Sequence, residues 1–66
     1  MSIKINGKET GYKSGTNLEE LLKEHRFQLG KIVVEHNGCV VPREEWKNII
    51  IAKNDTLEIL SFVGGG

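Results

Sequence analysis

The sequence predicts an α+β fold, a mixed four- to five-stranded sheet packed on one helix. Three observations lead there. Ile3-Lys4-Ile5 alternates apolar and charged residues and runs straight into Asn6-Gly7. Leu18, Leu21, Leu22 and His25 recur at the spacing of one helical face. Ile32-Val33-Val34 and Leu57 to Val63 are apolar runs bounded by turn residues.

Taken in order, Ile3 to Ile5 reads as a half-buried strand, and Asn6-Gly7 as a tight hairpin turn, because both residues tolerate positive φ. Lys8 to Lys13 returns as the second strand, with Tyr12 packing inward. Ser14-Gly15 breaks the pattern. Thr16 and Glu19 then form a capping box, hydroxyl to amide and carboxylate back to the cap. Glu19 and Glu20 suit the positive end of the helix dipole. Gly30 is the expected stop, with Phe27 and Leu29 tucked against the core.

Ile32 to Val34 is the third strand, turned by Asn37-Gly38 into Cys39-Val40-Val41. Pro42 ends that stretch, since it has no amide to donate. Arg43 to Asn48 reads as a short helical turn or loop around Trp46, Ile49 to Ile51 as a short strand, and Asn54-Asp55 as the next turn. In the last strand Leu57, Ile59 and Val63 share one face, Leu60 and Phe62 the other. A strand apolar on both faces belongs mid-sheet, or turns its outer face to another protein. Hairpin, crossover helix and mixed sheet together make the β-grasp, or ubiquitin-like, layout. Residues 1–63 are expected to form the domain and residues 64–66 a flexible glycine tail.

Composition narrows the function. A chain of 66 residues has room for one small core. Enclosing a substrate pocket of roughly 300–1,000 Å3 is difficult at that size, which argues for a carrier rather than an enzyme. Nine basic and nine acidic residues leave a formal charge of zero, with no basic block for nucleic acid. The longest apolar run, Ile49 to Ala52, is far short of the ~20 residues that span a membrane. The N-terminus does not read as a signal peptide, and Cys39 is the sole cysteine, so a reducing cytoplasm is the expected setting. One thiol and two distant histidines do not make a metal site.

The expected working part is Gly64-Gly65-Gly66, which follows the last strand with no polar spacer. Glycines bury nothing and leave the terminal carboxylate of Gly66 sterically bare, so an enzyme slot can thread Gly64 and Gly65 and set that carboxylate beside the α-phosphate of ATP. A glycine triplet alone is unspecific. Its position directly after the hydrophobic strand of a compact sheet is what singles it out.

The sequence also resembles the ThiS family, the sulfur carrier proteins of thiamine biosynthesis. The resemblance runs through Ile5-Asn6-Gly7, the Thr16-Asn17-Leu18…Leu21-Leu22 helix, Val33-Val34-Glu35-His36-Asn37-Gly38 and Val41-Pro42-Arg43-Glu44-Glu45-Trp46. It continues in Asn54-Asp55-Thr56-Leu57-Glu58-Ile59-Leu60 and the terminal Phe62-Val63-Gly64-Gly65-Gly66. It implies that Gly66 is adenylated by an E1-like, ThiF-type adenylyltransferase and converted to a thiocarboxylate. That group would pass its sulfur to a ThiG-type thiazole synthase. A sulfur donor protein would complete the set, and ATP and magnesium would be used by the adenylating partner, with no cofactor held by the chain itself. The family's glycine pair maps onto Gly65 and Gly66, Gly64 is additional, and Asn54 replaces the glycine usual before the last strand. The same chemistry would serve a molybdopterin synthase small subunit, and the same fold a ubiquitin-like modifier or an interaction module with an inert tail.

Leu60, Phe62 and Val63 are the expected partner contacts, because apolar side chains beside a docking tail are natural anchors. Cys39 could relay a persulfide but reads as a packing or surface residue, and neither His25 nor His36 reads as catalytic. Arg43 and Trp46 are expected to anchor their loop over the core.

Overall fold

The computed structural model describes residues 1–62. Its elements follow the expected order: β1 (Ser2–Ile5), β2 (Lys8–Gly11), α1 (Leu18–Glu24), β3 (Ile32–His36), β4 (Cys39–Val40) and β5 (Thr56–Ser61). Two short 3-10 helices, Leu29–Lys31 and Arg43–Asn48, join them. The five strands form one sheet in the order β2-β1-β5-β3-β4. β1 and β5 are parallel and every other pairing is antiparallel, which is the mixed sheet of a β-grasp.

Alternation decides the two faces. Ile3, Ile5, Ile32, Val34, Leu57 and Ile59 point inward, onto Leu18, Leu21 and Leu22 of α1. Trp46 and Ile51 close the remaining side of this core, and Tyr12, Phe27, Leu29, Val41 and Ile49 pack at its margin. Trp46 is 1% exposed, and its indole N–H donates to the Val41 carbonyl at 3.0 Å. It therefore anchors the loop, as expected of it. Arg43 is exposed, with its guanidinium lying over Gly30.

Four expectations need correction. The capping box lies one residue later: Asn17 accepts from the Glu20 amide at 2.8 Å, and the Glu20 carboxylate accepts from the Asn17 amide at 3.2 Å. The reason is tertiary. Ile51 N–H donates to the Thr16 carbonyl and Leu18 N–H to the Ile49 carbonyl, which pairs Asn17 with Ile50 and keeps the chain extended through residue 17. The same two bonds are all that comes of the strand expected at Ile49 to Ile51, a single bridge.

His25 does not close the apolar stripe; it caps α1 and is exposed. Nor does Gly30 stop the helix. α1 ends at Glu24, and Gly30 sits within the first 3-10 helix. The exit is a Schellman motif, in which Phe27 N–H reaches the Leu22 carbonyl and Arg26 N–H the Lys23 carbonyl. Burying Phe27 holds this geometry, so Arg26 is forced to φ 63°, where glycine is the usual residue. Arg26→Gly is therefore expected to raise stability by about 1 kcal/mol, read as a higher urea midpoint at unchanged m-value.

Candidate functional site

β5 is the central strand, held by β1 on one side and β3 on the other. Its inward residues, Leu57 and Ile59, are buried, while Leu60 is 63% and Phe62 50% exposed. Leu60 lies opposite Val33 of β3, which is exposed as well, so apolar side chains stand on the open face of the sheet near the end of β5; Val40, also exposed, lies on the edge strand opposite Glu35. Of the two possibilities read from the doubly apolar strand, the structure shows the first: β5 is central, and Leu60 on its outer face is exposed. Among the described residues, the last backbone tie runs from Phe62 N–H to the Lys31 carbonyl at 2.9 Å. Val63, expected as a contact, and Gly64, Gly65 and Gly66, expected as the threaded and modified end, lie outside the described residues.

The start of β5 is braced by a cluster that sequence reasoning missed. Asp55, almost fully buried, accepts from the Ala52 amide (2.9 Å) and the Asn37 carboxamide (3.0 Å), and pairs with His36 Nε2 at 2.9 Å. Asn37 Oδ1 in turn accepts from the Thr56 amide at 2.8 Å. Asn54 takes φ 69°, the turn geometry expected of it in place of glycine. The available signal was the pairing of His36-Asn37 with Asn54-Asp55, which only the β3–β5 register brings together. These bonds tie the turn after β3 to the start of β5.

Burial pushes the Asp55 carboxyl up, but hydrogen bonds from Asn37, His36 and the Ala52 amide, with the charge of His36, outweigh it. The net effect is a carboxyl held below its ordinary value of 3.8. Because the folded value lies below the unfolded one, this contribution is complete above about pH 4 and is lost as the pH falls through the folded value. Asp55→Asn is expected to flatten the acid limb of stability, by up to about 1.4 kcal/mol per pH unit, in urea titrations run at successive pH values.

Cys39 is exposed on the edge strand β4, in keeping with a surface role, and His25 is exposed at the end of α1. Among the described residues no group of three His, Cys, Asp or Glu could hold a metal ion, and no helix is long and apolar enough to cross a membrane. A recess of about 290 Å3, lined by Ser2, Lys4, Glu9 and Thr56, lies at the start of β5, away from the strand's exit.

The model of the ThiS family matches residues 3–66. The chain belongs to the ThiS family. It is 29% identical over 65 residues to the sulfur carrier protein ThiS of Bacillus subtilis, covering 97% of this chain and 98% of the relative. It is 37% identical over 62 residues to an uncharacterised protein, ycf40, of Trieres chinensis, covering 94% of this chain and 85% of that one. A thiazole synthase of Magnetococcus marinus is 36% identical over 66 residues, all of this chain but only 20% of the synthase. Among solved structures, the thiamine biosynthesis protein ThiS of Geobacter metallireducens superimposes with a TM-score of 0.84 at 33% identity, each chain covered in full.

Proposed function

We propose that this chain is the sulfur carrier of thiamine (thiazole) biosynthesis, with Gly66 as the group that is activated and loaded. The terminal carboxylate attacks the α-phosphate of ATP on an E1-like adenylating enzyme, releasing pyrophosphate and giving an acyl-adenylate. A persulfide on a donor protein then attacks the carbonyl and AMP leaves, joining the two chains through an acyl disulfide. A second thiol attacks the donor-side sulfur, breaking the S–S bond, so that the donor keeps a disulfide and the chain leaves as the thiocarboxylate. A thiazole synthase consumes that sulfur. In this reading the chain is a co-substrate, and its partners supply the catalysis.

The observation that carries the reading is the family match extending through the terminal glycines. The Bacillus and Geobacter relatives, named as a sulfur carrier and a thiamine biosynthesis protein, support it. The thiazole synthases of Magnetococcus and Paramagnetospirillum support the partner, since one fifth of each aligns with the whole of this chain. The exposed Leu60 and Phe62 agree with a body that docks beside its tail.

Intact-mass analysis tests it. After incubation with ATP, magnesium, an active adenylating enzyme of the family and a sulfur source, the chain should gain the mass of one oxygen replaced by sulfur. A mass that stays unchanged overturns the reading. For docking, Leu60→Thr within β5 and Phe62→Thr just past its end remove the apolar anchors, and threonine keeps good strand propensity. Each is expected to weaken binding to the adenylating enzyme by about tenfold or more, with stability changed by less than about 0.5 kcal/mol. Calorimetric titration and thermal melts on the same samples read both.

A further inference from the structure

β1 pairs with β5 only at Lys4–Thr56 and Ile5–Leu57 before the chain turns away into β2. Asn6 N–H still reaches the Leu57 carbonyl at 2.8 Å, but no β1 backbone remains for Ile59. The Asn6 side chain takes its place. Its Oδ1 accepts from the Ile59 amide at 2.7 Å, and its Nδ2 donates to the Ile59 carbonyl at 3.2 Å, across 53 positions of sequence. A carboxamide has the same donor–acceptor pair as a peptide group, so it extends the ladder by one step where the backbone cannot. The positive φ of Asn6, 52°, is what turns that side chain toward β5.

Asn37 makes the corresponding brace at Thr56, the start of the strand. Asn6 acts nearer the exit. Beyond Ile59, the described ties of β5 are those to β3 and the Phe62–Lys31 bond, all on the other side.

We propose that Asn6 is a positioning residue for the docking end of β5: by clamping Ile59 it holds the following exposed side chains, Leu60 and Phe62, in the geometry that the adenylating enzyme meets. This rests on the carrier reading. A strand tied on one side only frays, and a fraying end spreads these two anchors over positions that a docking surface cannot use.

The test compares Asn6→Gly, which retains the turn conformation but lacks the clamp, with Asn6→Asp, which keeps the acceptor for the Ile59 amide. Ile51→Val, a core change remote from the exit, controls for general loss of stability. Amide exchange by NMR should be about tenfold faster or more at Ile59 in Asn6→Gly, and faster at Phe62, with Val34 and Leu57 affected no more than in Ile51→Val. In parallel, kcat/KM for ATP-dependent pyrophosphate release with the family's adenylating enzyme should fall by about tenfold or more in Asn6→Gly, recover in part in Asn6→Asp, and hold in Ile51→Val.

Unchanged exchange at Ile59, a uniform rise in exchange across the sheet, or an unchanged kcat/KM in Asn6→Gly would each overturn the proposal. A wild-type chain that is not adenylated at all overturns the carrier reading itself. With the wild type active, a failure of the Asn6 series counts against this proposal alone.

Discussion

Deleting Gly65 and Gly66 is expected to abolish thiocarboxylate formation and leave the fold untouched. Among the described residues the buried core ends at Ile59, and glycines have no side chain to add to it. On the proposed reading, the deletion removes the group that is activated and its clearance from the sheet. The new terminus would be Gly64, two residues closer to the sheet, and two residues span at most about 7 Å of extended chain. A shortfall of that size is well beyond the 1 Å misplacement that already costs a reaction about a hundredfold. The expected result is no detectable sulfur gain by mass and no support of thiazole synthesis in cells, with melting unchanged. A truncated chain that still restores thiamine prototrophy would remove the terminus from the mechanism. A point variant, Gly66→Ala, separates reach from bareness, because it keeps the length and adds one methyl group beside the carboxylate.

The second large effect is on folding. Trp46→Ala is expected to remove about 3–5 kcal/mol. A 66-residue chain has, at typical values per residue, only about 3–10 kcal/mol in total, so much or all of the stability goes. Trp46 contributes twice: its ring fills the side of the core that neither α1 nor the sheet covers, and its N–H satisfies the Val41 carbonyl at 3.0 Å. Trp46→Phe separates the two. It keeps an aromatic ring and leaves that carbonyl unpaired, for an expected loss of about 1–3 kcal/mol plus the smaller ring volume. Far-UV circular dichroism in urea reads both variants without relying on the indole being replaced. An alanine variant with a wild-type midpoint would mean that the indole is not the keystone its burial indicates.

Most of the architecture was legible because its signals are local. Ile3-Lys4-Ile5 before Asn6-Gly7, the Leu18-Leu21-Leu22 stripe, and the Trp46 turn after Pro42 each carry their own period or turn chemistry. Leu60 and Phe62 were legible as an outward apolar pair for the same reason: strand alternation needs no partner to be read.

What stayed hidden depends on pairs distant in sequence. Thr16 with Glu19 is a sound capping box taken locally, yet the backbone bonds between Thr16 and Ile51 and between Leu18 and Ile49 keep the chain extended one residue further and hand the cap to Asn17. Pattern alone gave the helix a stop at Gly30, whereas the burial of Phe27 ends it at Glu24 and puts Arg26 in a conformation that glycine would hold more easily. Both Asn-Gly pairs were visible as turns, but their side chains' second role, clamping the two sides of β5, requires the strand order to be known. The amino-acid sequence by itself thus determined most of the elements, the two faces of the last strand and the family, but not the single bridge at Ile50 or the 3-10 helix at Leu29–Lys31. Tertiary structure decided where the helix begins and which polar side chains hold β5, because those choices are made by hydrogen bonds across 18 to 53 residues that no local window contains. It also decided where the helix ends, because Phe27 packs against a core assembled from distant strands.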